Sequence, residues 1–153
     1  MDIPVIWLWP NVDAGTDLIS KELRRFRDLN PNSKIQFVRN FSPEEFITIL
    51  NNASCIIGNS SSGIHETPTF KIPAINIGNR QMGRERAANV IDVQNNAEDI
   101  EIGLRKALYD NNFREFVSRI KNPYGEGDSA SKIVYHLKNL KLEGKLQKVF
   151  YEG

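Results

Sequence analysis

Residues 56–66, IIGNSSSGIHE, place three consecutive serines between Gly58-Asn59 and Gly63 in an otherwise apolar run. Glycine allows tight turns and close backbone approach, and serine hydroxyls together with backbone amides can cradle an anionic phosphate. The alternative is a polar strand-to-helix connection in which a serine caps the helix. Neither a Walker A loop nor a dinucleotide fingerprint fits, because the lysine of the first and the Gly-x-Gly-x-x-Gly of the second are lacking. Glu66 falls in the first turn of the next predicted helix, where a carboxylate suits the helix dipole. A phosphate would repel it, so the ligand group that fits it is a sugar hydroxyl; the plainer alternative is a first-turn helix carboxylate. A second polar segment, NRQMGRER at 79–86, carries Arg80, Arg84 and Arg86. Their forked donors suit a diphosphate better than a solvated loop of mixed cations would. Asn11 and Asp13, in NVDAG, are also ordinary turn formers.

These loops need a scaffold that brings them to one edge. The apolar run IPVIWLW at 3–9, stopped by Pro10 and Asn11, predicts a strand buried on both faces. Thr16 and Asp17 open a helix with Ile19, Leu23, Phe26 and Leu29 on one face, ended by NPNS. KIQFV at 34–38 is the next strand. In SPEE, Ser42 can cap, Pro43 fits the first helical position and Glu45 completes a capping box, with Phe46, Ile49 and Leu50 facing inward to about Asn52. SCII is the third strand, followed by the serine loop, a short helix over 64–70 and the strand AINI; VIDV at 90–93 adds another. Helices then carry Ile100, Leu104, Ala107 and Leu108; Phe113, Phe116, Val117 and Ile120; and, after NPYGEGD, Ile133, Val134, Leu137 and Leu140. A further turn is expected around Leu146, Val149 and Phe150. This βαβαβαβ alternation predicts an α/β fold with a doubly wound parallel sheet, in which ligands bind outside the carboxyl ends of the strands. Asn11, the serine loop and the arginine segment would all emerge there, which favours a nucleotide or sugar-nucleotide site.

Composition sets limits on the alternatives. The 153 residues are 40% hydrophobic and 25% charged. Such a chain is long enough for one soluble domain with a core. The formal charge of +1 provides no global basic field for nucleic acid, so binding must come from a local site. The one cysteine, Cys55, excludes a disulfide within the chain and reads as a small buried hydrophobe in a reducing compartment. No apolar segment approaches the roughly 20 residues that span a bilayer, and a cytoplasmic location is expected. With two separated histidines and one cysteine, no metal-ligand spacing is present, and no cofactor is implied.

WPNVDAG, GNSSSGIHE, INIGNRQMGRE and NPYGEGDSASKI stand in the order, and close to the spacing, found in the hydrolysing UDP-N-acetylglucosamine 2-epimerases, which serve sialic-acid and related nonulosonic-acid synthesis. The resemblance covers nearly all of residues 3–140. It implies a Rossmann-like three-layer αβα domain with a parallel sheet, similar to the C-terminal domain of a GT-B fold. On that resemblance residues 1–153 are one UDP-binding domain, lacking its own first strand and the family's N-terminal domain, with 141–153 a tail. It further implies that Asn11 reaches the phosphates or the sugar, that Phe41 meets the uracil through its backbone, and that Ser60 and Ser61, with Ser62 and Gly63 beside them, hold the diphosphate. Glu66 would hold the ribose hydroxyls and Arg80 would line the same site. No catalytic residue is assigned within the chain, since the family's acid-base carboxylates belong to the N-terminal domain. The implied partners are UDP, a UDP-N-acetylhexosamine and the absent domain, and a homo-oligomer is compatible with them.

His65 sits beside the serine loop, but the corresponding family position is variable and commonly arginine, which implies a solvent or supporting place rather than a general base. His136 has no visible partner. Residues 132–153 hold five lysines against two glutamates, interspersed with apolar residues, as would suit a helix packing on another domain or subunit. Two other functions fit the same loops: the nucleotide-binding domain of a GT-B glycosyltransferase, against which the RQMGRE and NPYG segments weigh, and a non-catalytic UDP-sugar-binding module.

Overall fold

The computed structural model describes residues 3–10 and 16–141. They fall in two compact units, Met1–Leu50 and Asn51–Gly153. In the first, β1 (Val5–Leu8) pairs in parallel with β2 (Ile35–Val38), Val5 opposite Ile35 and Leu8 opposite Val38, with α1 (Thr16–Leu29) between them in the chain and α2 (Pro43–Asn51) after them. Trp7 and Trp9 lie against Phe37, ring centroids 6.2 and 5.9 Å apart. The strand expected to be buried on both faces is not: Ile6, Trp7 and Leu8 are 40–46% exposed. Among the described residues β1 has a strand neighbour on one edge only, so too little surrounds its apolar side chains. The predicted inward face of α1 is likewise covered only at Leu23; Ile19, Phe26 and Leu29 are exposed. The capping box forms as expected. The Glu45 amide donates to Ser42 Oγ at 3.2 Å, and the Ser42 amide donates to Glu45 Oε2 at 2.8 Å. Leu50 is the buried anchor of α2, with Phe46 and Ile49 half-buried.

The second unit is better filled. Strands β3 (Ile56–Gly58), β4 (Ala74–Ile77) and β5 (Val90–Val93) form a parallel sheet in the order β3-β4-β5. Central β4 is the apolar strand AINI, with Ala74 and Ile75 no more than 2% exposed, as a strand covered on both faces requires. Its elements are completed by α3 (Ser62–His65), α4 (Thr67–Phe70), α5 (Ala97–Tyr109), α6 (Asn111–Ser118) and α7 (Ser129–Asn139). The single helix expected over 64–70 is two short ones with Glu66 at their junction. Pro68 has no N–H to donate to the carbonyl of Ile64, so a continuous helix cannot pass it unbroken. Side chains cap the next two helices, as asparagine and aspartate do well. Asn96 Oδ1 accepts from the Asp99 amide at 2.9 Å and Asp110 Oδ1 from the Phe113 amide at 3.0 Å.

Helix α5 lies so close on the sheet that a Cβ added at Gly103 would stand 2.9 Å from Val93 Cγ1 and 3.2 Å from Ile75 Cγ2. Ala107 and Val117 are fully buried, whereas Phe116, expected on the inner face of α6, is 53% exposed. Every residue of α7 is exposed, so its apolar Ile133, Val134 and Leu137, and Leu140 just beyond it, stand uncovered among the described residues. The turn expected around Leu146 to Phe150 lies outside the described residues. Parallel strands are thus interspersed with helices along the chain, only β4 and β5 being joined without one; this is the α/β, Rossmann-like pattern predicted, and strand pairing runs within each unit. No described helix is long and apolar enough to cross a membrane.

Buried Asn89 ties the second unit together. Its Nδ2 donates to Thr67 Oγ1 at 2.8 Å and to the Ile72 carbonyl at 2.7 Å, and Thr67 Oγ1 donates on to the Gly63 carbonyl at 2.9 Å. Asn89→Ala strands a buried carbonyl and is expected to cost about 1–3 kcal/mol, seen as a loss of roughly 2–12 °C in melting temperature. A melt unchanged in this variant would show that the three groups are not joined.

Candidate functional site

Because β3 and β4 are parallel neighbours, with Gly58 opposite Asn76, the segments that follow them leave the sheet at the same edge. Gly58 makes the first turn with φ +144°, a value that L side chains rarely adopt. Beyond it Ser60 and Ser61 are exposed, and Ser62 and Gly63 are half-buried. The Ser60 carbonyl accepts from the Gly63 amide at 3.3 Å, and the Ser61 carbonyl from the amides of Ile64 and His65 at 2.9 and 3.0 Å. Ser60 Oγ accepts from the Ser62 amide at 3.3 Å. Ser61 holds the N-cap position of α3 without a side-chain capping bond, so its hydroxyl is not used as a helix cap. The backbone N–H groups of Asn59, Ser60 and Ser61 find no acceptor among the described residues. Among the described residues, one short loop therefore offers three amides and a hydroxyl without a partner at the carboxyl edge of the sheet.

Glu66 is half-buried at the α3–α4 junction. Its Oε2 is buried and has no hydrogen-bond partner among the described residues. A carboxylate oxygen removed from water without a donor is costly, and such groups mark places where a ligand or water completes the pairing.

The arginine segment is fastened to the serine loop. Gln81, 2% exposed, donates from Nε2 to the Asn59 carbonyl at 2.7 Å. Arg86 Nη2 donates to the Gln81 carbonyl at 2.9 Å, and its Nη1 to Asp92 Oδ1 at 2.7 Å. Asp92 Oδ1 also accepts from Asn76 Nδ2 at 2.8 Å. Arg86 is thereby committed to the scaffold, whereas Arg80 and Arg84 are exposed and make no side-chain hydrogen bond or ion pair among the described residues. Sequence reasoning missed Gln81, Asn76 and Asp92. A signal existed: an asparagine inside the buried strand AINI needs a partner, and the aspartate of the facing VIDV supplies it.

The ring of His65 packs on that of Tyr124, centroids 4.1 Å apart, which gives it the supporting place expected of it. His136 is on α7, edge-on to Tyr135. Burial pushes the Cys55 thiol up against a smaller opposing pull from Arg114, so it remains an unreactive thiol at neutral pH. Of the residues singled out from the sequence, Ser60, Ser61, Ser62, Gly63, Glu66 and Arg80 come together in the second unit. Phe41 is half-buried in the first, directly before the capping box of α2, and Asn11 and Asp13 lie outside the described residues.

Comparison with known proteins identifies the sequence family. Residues 1–138 match the family model described as UDP-N-acetylglucosamine 2-epimerase. The chain is 33% identical, over 95% of its length, to a UDP-N,N'-diacetylbacillosamine 2-epimerase (hydrolyzing) of Legionella pneumophila, of which it covers 36%. It is 36% identical, over 97% of its length, to a GDP/UDP-N,N'-diacetylbacillosamine 2-epimerase (hydrolyzing) of Campylobacter jejuni, covering 38% of that protein. The polysialic acid biosynthesis protein P7 of Escherichia coli is 32% identical over 96% of the chain, which covers 37% of it. The chain thus spans little more than a third of the length of these relatives. With its αβ order, its free serine-loop amides and a match running over almost all of its described residues, the chain belongs to the UDP-N-acetylglucosamine 2-epimerase family.

Proposed function

We propose that the chain is the UDP-binding half of a hydrolysing UDP-N-acetylglucosamine 2-epimerase, one Rossmann-like nucleotide domain over 1–153 with 141–153 as a tail. In the proposed whole reaction, the proton at C2 and the UDP at C1 leave in an anti elimination. Water then adds to the resulting glycal to give the free 2-epimer, N-acetylmannosamine, and UDP is released. This chain's share is electrostatic. The free amides at 59–61 and the uncommitted Arg80 and Arg84 bind the diphosphate and stabilise its charge as it departs. Phe41 would present its backbone to the uracil, and Asn11 would approach the phosphates. Proton transfer is assigned to carboxylates of a preceding domain, so the isolated chain binds UDP without turnover.

The observation that carries this reading is the buried, unpartnered Oε2 of Glu66 beside the serine loop. A ribose hydroxyl would donate to it, whereas a phosphate would not. Calorimetric titration of the chain is expected to show saturable UDP binding, weaker for 2′-deoxy-UDP. Glu66→Ala should lose about tenfold in UDP affinity, within the worth of a hydrogen bond to a charged acceptor, together with the preference for UDP over the deoxynucleotide. A folded chain that does not bind UDP, or a Glu66→Ala variant that still prefers ribose, would overturn the assignment.

A further inference from the structure

The NPYG segment between α6 and α7 has no part in the chemistry above, yet it is bonded to both halves of the site. Asn122 Nδ2 donates to the His65 carbonyl at 2.9 Å and to Thr69 Oγ1 at 2.8 Å, which clamps the α3–α4 junction on either side of Glu66. Asn122 Oδ1 accepts from the Tyr124 amide at 2.9 Å and so fixes the turn. The Tyr124 ring then covers His65, whose own amide is bonded back to the Ser61 carbonyl. At the far end of that ring, Tyr124 Oη donates to the Glu85 carbonyl at 2.6 Å. Behind the segment, Lys71 Nζ donates to the Ile120 carbonyl, anchoring its approach.

The arginine loop depends on such anchors. Arg80 and Arg84 have no side-chain partners among the described residues, and Met82 between them is 75% exposed. What sets their place is the backbone at its fastened points: the Gln81 side chain on Asn59, the Arg86 guanidinium on the Gln81 carbonyl, and Tyr124 on Glu85. Of these, only Tyr124 joins the loop to the α3–α4 junction that carries Glu66.

We infer that residues 122–124 form a strap, and that Tyr124 is a positioning residue setting the arginine loop against the serine loop and Glu66 so that both grip one nucleotide diphosphate. The ligand part of this inference rests on the proposed UDP site; the anchoring part does not.

The test compares the parent chain with Tyr124→Phe and Tyr124→Ala by amide hydrogen exchange without ligand and by titration with UDP and UMP. Phenylalanine keeps the ring on His65 and removes only the bond to Glu85. It is expected to speed exchange over 80–86 but not over 65–69, to leave the melting temperature almost unchanged, and to cut the preference for UDP over UMP by about five- to tenfold, the reach of one hydrogen bond. Alanine should speed exchange in both segments. Unchanged exchange over 80–86 in both variants would overturn the strap whatever the titrations show. Faster exchange with an intact UDP-over-UMP preference would overturn the positioning role. A parent chain that binds neither nucleotide would instead sink the UDP site and with it the positioning role, leaving the exchange result to decide the anchoring.

Discussion

Gly103→Val is expected to lower the melting temperature of the chain by about 2–12 °C, the outcome of roughly 1–3 kcal/mol of overpacking. Gly103 sits where α5 meets the sheet, and even a Cβ there would be 2.9 Å from Val93 Cγ1. Ile75, on the other side of the same point, is 1% exposed on the central strand and has nowhere to retreat. Valine adds two methyl groups beyond that Cβ, so the helix must lift or the strands must part. Gly103→Ala is the informative control. Its gain in helix propensity, about 1 kcal/mol, opposes a smaller clash, and it should melt well above the valine variant. Differential scanning calorimetry of the three proteins decides the matter, and equal melting temperatures would mean that α5 does not approach β4 and β5 this closely.

Removing both uncommitted arginines should act on binding and not on stability. Arg80 and Arg84 are exposed and touch no acceptor among the described residues, so the double variant Arg80→Ala, Arg84→Ala is expected to melt like the parent. If each guanidinium meets a phosphate oxygen of UDP, its loss costs about 1.5–3 kcal/mol, and together they should weaken UDP about a hundredfold or more. The salt dependence of the remaining binding should flatten, since the screened attraction has gone. Arg86 does not belong in this pair, because its guanidinium is already bonded to Asp92 and the Gln81 carbonyl. Isothermal titration at two salt concentrations reads both effects, and a double variant that binds UDP like the parent would show that the diphosphate lies elsewhere.

Much of this arrangement is readable from local sequence. The capping box at Ser42 and Glu45, the buried strand AINI and the position of the serine loop after a strand all follow from short-range patterns, and the structure has them. Burial is less legible. The run IPVIWLW looks like a strand covered on both faces, but whether it is covered depends on which elements surround it, and Ile6, Trp7 and Leu8 are exposed here. The break at Glu66 does have a local cause in Pro68, but the helical pattern on both sides of it hides the interruption. The bonds that fix the site are not legible at all. Gln81 reaches back 22 positions to Asn59, and Tyr124 reaches back 39 to Glu85. No periodicity encodes such pairs, because only the folded path brings the groups within reach.

The order β3-β4-β5 repeats the order of the chain, each strand lying beside the one made just before it. The entropy of closing each intervening loop is therefore small, and the sheet can grow by addition at one edge without a distant segment having to return. In growth of that kind the serine loop would take its place as β4 docks on β3, and the arginine loop as β5 docks on β4. Tyr124 lies later in the chain than all of these strands, so in such an order its bond to Glu85 would be made after the sheet is complete. The serine and arginine loops would thus be formed early in folding but held in register late, so that partly folded chains would have both loops without their spacing.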